Sequence, residues 1–152
     1  MKNEDIIIVA GKEWHHGVIG IVASRILSKY YKPTIILTLE DGIYSGSARS
    51  VEGFNIFEAL NHVKEHMIRF GGHEMAAGLS LEEAELEPFR KELNAYGKEL
   101  LNEELLTPSL DIDLELPADS ISLKVCDELD KMEPFGAVSY THLRAHETSL
   151  HL

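Results

Sequence analysis

The chain has one cysteine, Cys126, among its 152 residues. A single cysteine excludes a disulfide framework and a cysteine-rich zinc site, so Cys126 is expected only to fill space in a short helix. No apolar run approaches the ~20 residues that a membrane-spanning helix needs, and the charged start lacks the apolar core of a secretory signal. We therefore expect a cytoplasmic protein with no membrane partner.

Basic residues are also scarce, with 14 lysines and arginines against 26 aspartates and glutamates, a net charge of −12. Such a balance normally disfavours nucleic acid, whose phosphates attract basic surfaces. The acidic excess is uneven, however. Residues 1–80 have 8 basic and 9 acidic side chains, whereas residues 81–136 have 5 and 16. Any anion site is expected within the first eighty residues.

Apolar spacing predicts alternating strands and helices over the first hundred residues. Strands are predicted at residues 5–10, 34–39, 43–50 and 76–81, and helices at residues 18–31, 55–70 and 86–100. Asn55 has the spacing of a helix N-cap, and Gly71-Gly72 is expected to end that helix because glycine tolerates the left-handed conformation. This order indicates an α/β fold.

The pattern changes after residue 106. Residues 110–116 alternate between apolar and acidic side chains, which predicts a half-exposed strand, and residues 120–132 predict a short helix. Residues 137–152 have neither period nor turn chemistry and resemble a translated sequencing adapter, so we expect a foreign tail. A genuine frayed terminus is the alternative, and His142 and His146 are not favoured as metal ligands.

Three segments contain residues suited to phosphate. In residues 46–50, Arg49 lies beside Ser47 and Ser50, and a guanidinium fork with two hydroxyls suits a phosphate. From that pentapeptide alone, a surface arginine at a strand end is the preferred explanation.

In residues 70–78, Gly71 and Gly72 precede His73, which can contact phosphate or transfer a proton. A helix end followed by a surface histidine would have the same sequence. The third segment, residues 14–20, includes His15 and is a glycine-containing turn into a helix. By itself it is weak evidence for an anion site, because it has neither a dinucleotide fingerprint nor a P-loop.

A competing metal motif occurs at residues 62–66, where His62, Glu65 and His66 match the pattern of inverted zinc proteases. Helical spacing turns both histidines away from the apolar face, and a catalytic zinc needs a sheltered pocket with a third ligand. We interpret them as exposed helix histidines.

Taken together in order, residues 14–25, 47–50 and 70–73 make the chain resemble the DHH-associated domain of RecJ-type single-stranded-DNA-specific exonucleases, within the DHH phosphoesterase superfamily. The resemblance covers residues 4–136, with His16 where family members often have proline. It implies a substrate-binding domain at residues 1–106, a small mixed sheet flanked by helices. It also implies that residues 107–136 begin a connection toward a missing oligonucleotide-binding barrel.

The resemblance further implies a 5′-to-3′ exonuclease in which a separate DHH domain, joined in cis, holds manganese or magnesium. Arg49, Ser47 and Ser50 would bind phosphate, Gly71 and Gly72 would form a loop facing the metals, and His73 would be the catalytic contact to a phosphate. His15 is a weaker candidate for the same cleft. The chain has no Asp-His-His motif, so we expect it to hold no metal, to bind single-stranded DNA weakly and to be inactive alone.

Two other functions remain open. The chain could be a stand-alone module that binds a nucleotide or a phosphorylated ligand without chemistry. It could also be part of a related phosphodiesterase acting on short oligonucleotides or cyclic dinucleotides, which share a Gly-Gly-His loop. The block at residues 14–25 favours the RecJ type over this last possibility.

Overall fold

A computed structural model describes residues 4–109, 112 and 115–131. The chain divides into two compact units, Met1–Ser109 and Leu110–Leu152, which are described separately. Within the described residues, no helix combines the length and the apolar character needed to cross a membrane.

The first unit contains a five-stranded mixed sheet in the order β1-β2-β3-β5-β4. The parallel pair β1-β2 lies at one edge, and the other neighbouring strands are antiparallel. The α/β prediction and its small mixed sheet are confirmed. The strands are β1 (Ile7–Lys12), β2 (Thr34–Glu40), β3 (Ile43–Arg49), β4 (Arg69–His73) and β5 (Ala76–Glu82).

Three α-helices accompany the sheet: α1 (His16–Tyr30), α2 (Ile56–His62) and α3 (Leu86–Leu100). Short 3₁₀ turns occupy Lys64–His66 and Glu83–Glu85. The predicted cap is confirmed, because the side chain of Asn55 accepts hydrogen bonds from the amides of Phe57 and Glu58. The turn between β2 and β3 has Asp41 and Gly42 both at positive φ.

The two faces of the sheet are covered differently. On one face, α2 and α3 enclose the main core, which includes Ile35, Leu60 and Phe89, each with 0% of its surface exposed. On the other face, α1 packs Ile19 and Ala23 against Ile36 of β2. The strands β3, β5 and β4 extend beyond α1 on this second face, and they form the floor of the site described below.

The helix predicted at residues 55–70 is wrong in its second half. The α-helix ends at His62, Met67 is extended, and Arg69–His73 is an edge strand paired with β5. Gly72 has a φ of +153°, which a helix cannot use. Pairing with β5 satisfies the backbone of this segment, and that tertiary constraint outweighs the helical spacing of Met67 and Phe70.

In the second unit, the predicted helix is present as α4 (Leu123–Asp130), capped by the side chain of Ser122. Cys126 is exposed on it and not part of a core. The strand predicted at residues 110–116 lies largely outside the described residues, and the described positions Ile112, Glu115 and Leu116 belong to no strand. The predicted foreign tail also lies outside them.

Replacing Gly72 with alanine is expected to lower the free energy of unfolding by at least ~2 kcal/mol, because the φ is strained for any L side chain. The new Cβ would lie 2.3 Å from the carbonyl oxygen of Ala76 and 2.5 Å from the Cα of Ala77. Urea denaturation followed by circular dichroism measures the loss. Gly71→Ala is the matched control, since its Cβ would meet nothing within 4 Å. Equal stability of the two variants would contradict this account of the β4-β5 pairing.

Candidate anion-binding cleft

An open cleft of about 850 Å³ lies between the N-terminal half of α1 and the exposed face of β3, β5 and β4. This volume falls within the range of ~300–1,000 Å³ typical of ligand sites. Arg49, Arg69, Ser45 and Ser47 line it, and no aspartate or glutamate of the described residues does. Its polar chemistry therefore suits an anion.

The register of the sheet brings the predicted residues to one face. Arg49 pairs with Ala76, and Ala76 pairs with His73, so these three residues form one row across β3, β5 and β4. Directly paired residues project to the same side of a sheet, and two strand spacings separate the Cα atoms of Arg49 and His73 by ~10 Å. The second row is Ser47, Gly78 and Gly71, and the third is Ser45, Ser80 and Arg69.

Arg49 is held in place by its own strand. Its Nη1 donates to the Oγ of Ser47 and to the carbonyl of Ala48, both at 2.8 Å. Gly20 of α1 makes room for it, because a Cβ on Gly20 would lie 3.0 Å from Nη2 of Arg49. No carboxylate in the described part of the chain forms an ion pair with Arg49 or Arg69. Both arginines are thus available to a bound anion.

Small residues form the middle of the floor. A Cβ on Gly71 would point into open space, and one on Gly78 would meet only the carbonyl of Gly46 at 3.9 Å. A ligand can therefore approach the backbone of β4 and β5 closely. Gly72 projects to the opposite face and does not line the cleft, so its part is structural.

His73 lies at the end of β4, exposed and in the same row as Arg49 but outside the cleft lining. Its Nδ1 accepts a hydrogen bond from the amide of Met75 at 3.3 Å. Because Nδ1 is the acceptor, the proton of the neutral ring lies on Nε2, which is then a hydrogen-bond donor.

Two predicted residues are placed elsewhere. Ser50 is only 3% exposed and its hydroxyl donates to the carbonyl of Phe54, so it presents no hydrogen to a ligand in the cleft. His15 caps α1, with its Nδ1 accepting from the amide of Gly17 at 3.0 Å. It lines a separate depression with Trp14, and it is His16 that lines the cleft.

Sequence reasoning missed Arg69 because it placed that residue inside a helix. As a strand, residues 69–73 alternate, and Arg69, Gly71 and His73 share one face. Ser80 was also missed. It is 3% exposed, and its Oγ has no hydrogen-bond partner among the described residues, although it pairs with Arg69 across the sheet.

The cleft does not fit the two-metal centre that the resemblance implies for the complete enzyme. Such a centre needs several carboxylates, and the lining offers imidazole only, from His16. The arrangement binds and orients an anion, and no catalytic step through a metal follows from these residues.

The DHHA1 domain family matches residues 3–99. The chain belongs to this family. It is similar to the single-stranded-DNA-specific exonuclease RecJ of Bacillus subtilis, with 37% identity over 139 residues, 90% of this chain and 18% of that protein. The RecJ of Salmonella typhimurium is 40% identical over 129 residues, 82% of this chain and 22% of that protein.

Solved structures of RecJ are also similar to this chain. RecJ of Thermus thermophilus in complex with Mg²⁺ superimposes with a TM-score of 0.77 at 31% identity, covering 88% of this chain and 20% of that one. An exonuclease RecJ bound to manganese gives 0.57 at 35% identity, covering 62% and 24%. The chain thus spans about a fifth of the length of the relatives it matches, and the fold is that of the DHHA1 region of RecJ.

Substitutions at Ser50 and Ser47 are expected to affect stability and binding separately. Ser50→Ala should lower the free energy of unfolding by ~1 kcal/mol, because it removes a buried hydrogen bond, and leave oligonucleotide affinity unchanged. Ser47→Ala should weaken the affinity for a short single-stranded oligonucleotide and barely change stability. Urea denaturation and fluorescence anisotropy measure the two quantities. If Ser50→Ala weakened the affinity and Ser47→Ala lowered the stability, Ser50 would have to be assigned to the binding site.

Proposed function

We propose that this DHHA1 domain grips the phosphates of single-stranded DNA for an exonuclease whose metal centre lies in a separate domain joined in cis. The observation that supports this most is the pair Arg49 and Arg69. Both line one cleft, on one face of the sheet, without a carboxylate partner in the described residues. A backbone with one negative charge per nucleotide is the ligand that such an arrangement suits.

Arg49 and Ser47 would act together on one phosphate. Since the Oγ of Ser47 accepts from Nη1 of Arg49, the hydroxyl proton is free to donate to a phosphate oxygen. The guanidinium would present its remaining N–H groups to a second oxygen of the same group. Gly71 would let that phosphate approach the floor.

Arg69 would hold a second phosphate further along the strand. It lies in the third row, four residues along β4 from the row of Arg49 and His73, so the two arginines serve different positions on the ligand. The cleft thus extends over more than one nucleotide.

His73 would contact the scissile or the adjacent phosphate, with Nε2 as the donor. It lies at the end of β4, two residues beyond Gly71, and would face the second domain there. Metal ions supplied by that domain, manganese or magnesium, would activate the water that attacks the phosphodiester. One solved RecJ structure is in complex with Mg²⁺ and another is bound to manganese, which supports the use of these ions by the complete enzyme.

The similarity to RecJ over 139 residues extends beyond the 3–99 region of the family match. This extent favours a piece of a RecJ-type exonuclease, acting in the cytoplasm, over a stand-alone binding module. Residues 107–136 would begin the connection toward an oligonucleotide-binding barrel. With the acidic excess of residues 81–136, DNA binding by this chain would be weak and sensitive to salt.

Arg49→Ala and Arg69→Ala are each expected to weaken binding of a single-stranded oligonucleotide by ~1–3 kcal/mol, since each loses charge-assisted hydrogen bonds. Arg49→Lys should restore only part of the affinity, because an ammonium cannot form the bidentate pair. The slope of log K against log salt should decrease by about 0.7 for each phosphate contact removed. Fluorescence anisotropy at several salt concentrations measures both.

Lys29→Ala is the matched control, since it removes an exposed positive charge from α1 outside the cleft. Its affinity and salt slope should equal those of the unmodified chain. If Lys29→Ala weakened binding as much as Arg49→Ala, the chain would attract DNA by general charge, and the phosphate cleft would have to be abandoned.

The chain alone is expected to release no nucleotides from a 5′-labelled single strand in manganese or magnesium, because the cleft has no carboxylate to hold either ion. Gel analysis of the labelled strand, with a full-length RecJ as the positive control, measures this. Metal-dependent release of the labelled 5′ nucleotide that Arg49→Ala abolishes would contradict this expectation.

A further inference from the structure

We propose that His66, Glu92 and Glu65 form a binding site for one zinc-type divalent cation, separate from the DNA cleft. Their ligating atoms all lie within 4.8 Å of one another. None of the three lines the cleft. The site would tie the 3₁₀ turn Lys64–His66 to α3 and stabilise the fold.

The histidine is the centre of this cluster. The imidazole of His66 is 16% exposed and contacts carboxylates through both nitrogens. Nε2 lies 2.9 Å from Oε2 of Glu92, and Nδ1 lies 2.7 Å from Oε2 of Glu85. Hydrogen bonds to Glu92 and then to Glu85 raise the pKa of His66, although burial opposes them.

Glu85 has the position of an orienting residue. Histidines that bind metals usually donate their second N–H to a carboxylate, which fixes the tautomer and increases the basicity of the ligating nitrogen. Here both ring nitrogens are hydrogen-bonded to carboxylates. A bound ion would replace the proton that Nε2 shares with Glu92, while Nδ1–H would stay donated to Glu85. The sheltered histidine with two carboxylates beside it is the donor set of a zinc site that keeps one position for water.

The local charge also favours a dication. Three carboxylates surround one imidazole, and no lysine or arginine of the described residues forms an ion pair with Glu65, Glu85 or Glu92. With a protonated His66 the group has a net charge of −2. A dication on a neutral His66 reduces this to −1, and the proton leaves Nε2 for the solvent as the metal binds.

The distances require little movement. Zinc bonds of ~2.0–2.1 Å in a tetrahedron place ligand atoms ~3.3 Å apart. Nε2 of His66 and Oε2 of Glu92, now 2.9 Å apart, would separate by a few tenths of an ångström. Glu65 adjoins His66 on the same turn and is exposed, so its carboxylate can rotate toward the ion. The imidazole favours zinc over magnesium or calcium, which prefer oxygen ligands only.

The test is calorimetric titration of the chelator-treated full chain with ZnCl₂, compared among variants so that zinc bound elsewhere, by Cys126 or the other histidines, cancels. His66→Asn should lose one zinc equivalent. Glu65→Gln should lose or greatly weaken the same equivalent and still fold, because this side chain is exposed. Glu85→Gln should weaken it ~10–100-fold, as expected for an orienting carboxylate.

His62→Asn is the matched control, because His62 is a nearby exposed histidine that stacks on Tyr96 and forms no ion pair with a glutamate of the described residues. It should bind zinc as the unmodified chain does. Zinc should also raise the melting temperature of the unmodified chain and of His62→Asn, but not of Glu65→Gln. Equal zinc stoichiometry and affinity in the unmodified chain, His66→Asn and Glu65→Gln would overturn the site.

Discussion

The pairing of β4 with β5 is the constraint on which the site depends. It puts Arg69, Gly71 and His73 on the face that already bears Ser47 and Arg49. Without this hairpin, the segment would hold its charged groups away from β3. Gly72 makes the pairing possible, since only a residue without a Cβ fits against the backbone of Ala76 and Ala77 at a φ of +153°.

The asymmetry of the sheet explains why the cleft is on one side. The face toward α2 and α3 is apolar and closed, and it provides the stability of the domain. The opposite face receives a single helix, so small and polar residues on β3, β5 and β4 stay accessible. An acidic chain thus retains a local surface where arginines are not neutralised by carboxylates.

Histidines of this chain differ in role because their neighbours differ. His15 caps a helix, His73 ends a strand beside an arginine, and His66 is enclosed by glutamates of two other elements. The spacing of His62 and His66 suggested two exposed helix histidines. That is correct for His62, but His66 lies on a 3₁₀ turn that α3 covers, because α2 ends earlier than its periodicity indicates.

The sequence by itself determined the α/β class, most strands, α1, α3, the Asn55 cap and the grouping of Arg49 with Ser47. Those features depend on local spacing and turn chemistry, which the chain displays directly. Only the tertiary structure decided that residues 69–73 are a strand and that Ser50 is buried. It also decided that Arg69 lines the cleft and that His15 lies outside it. These four features depend on strand register and on packing between segments distant in sequence. Local periodicity alone does not fix either of them.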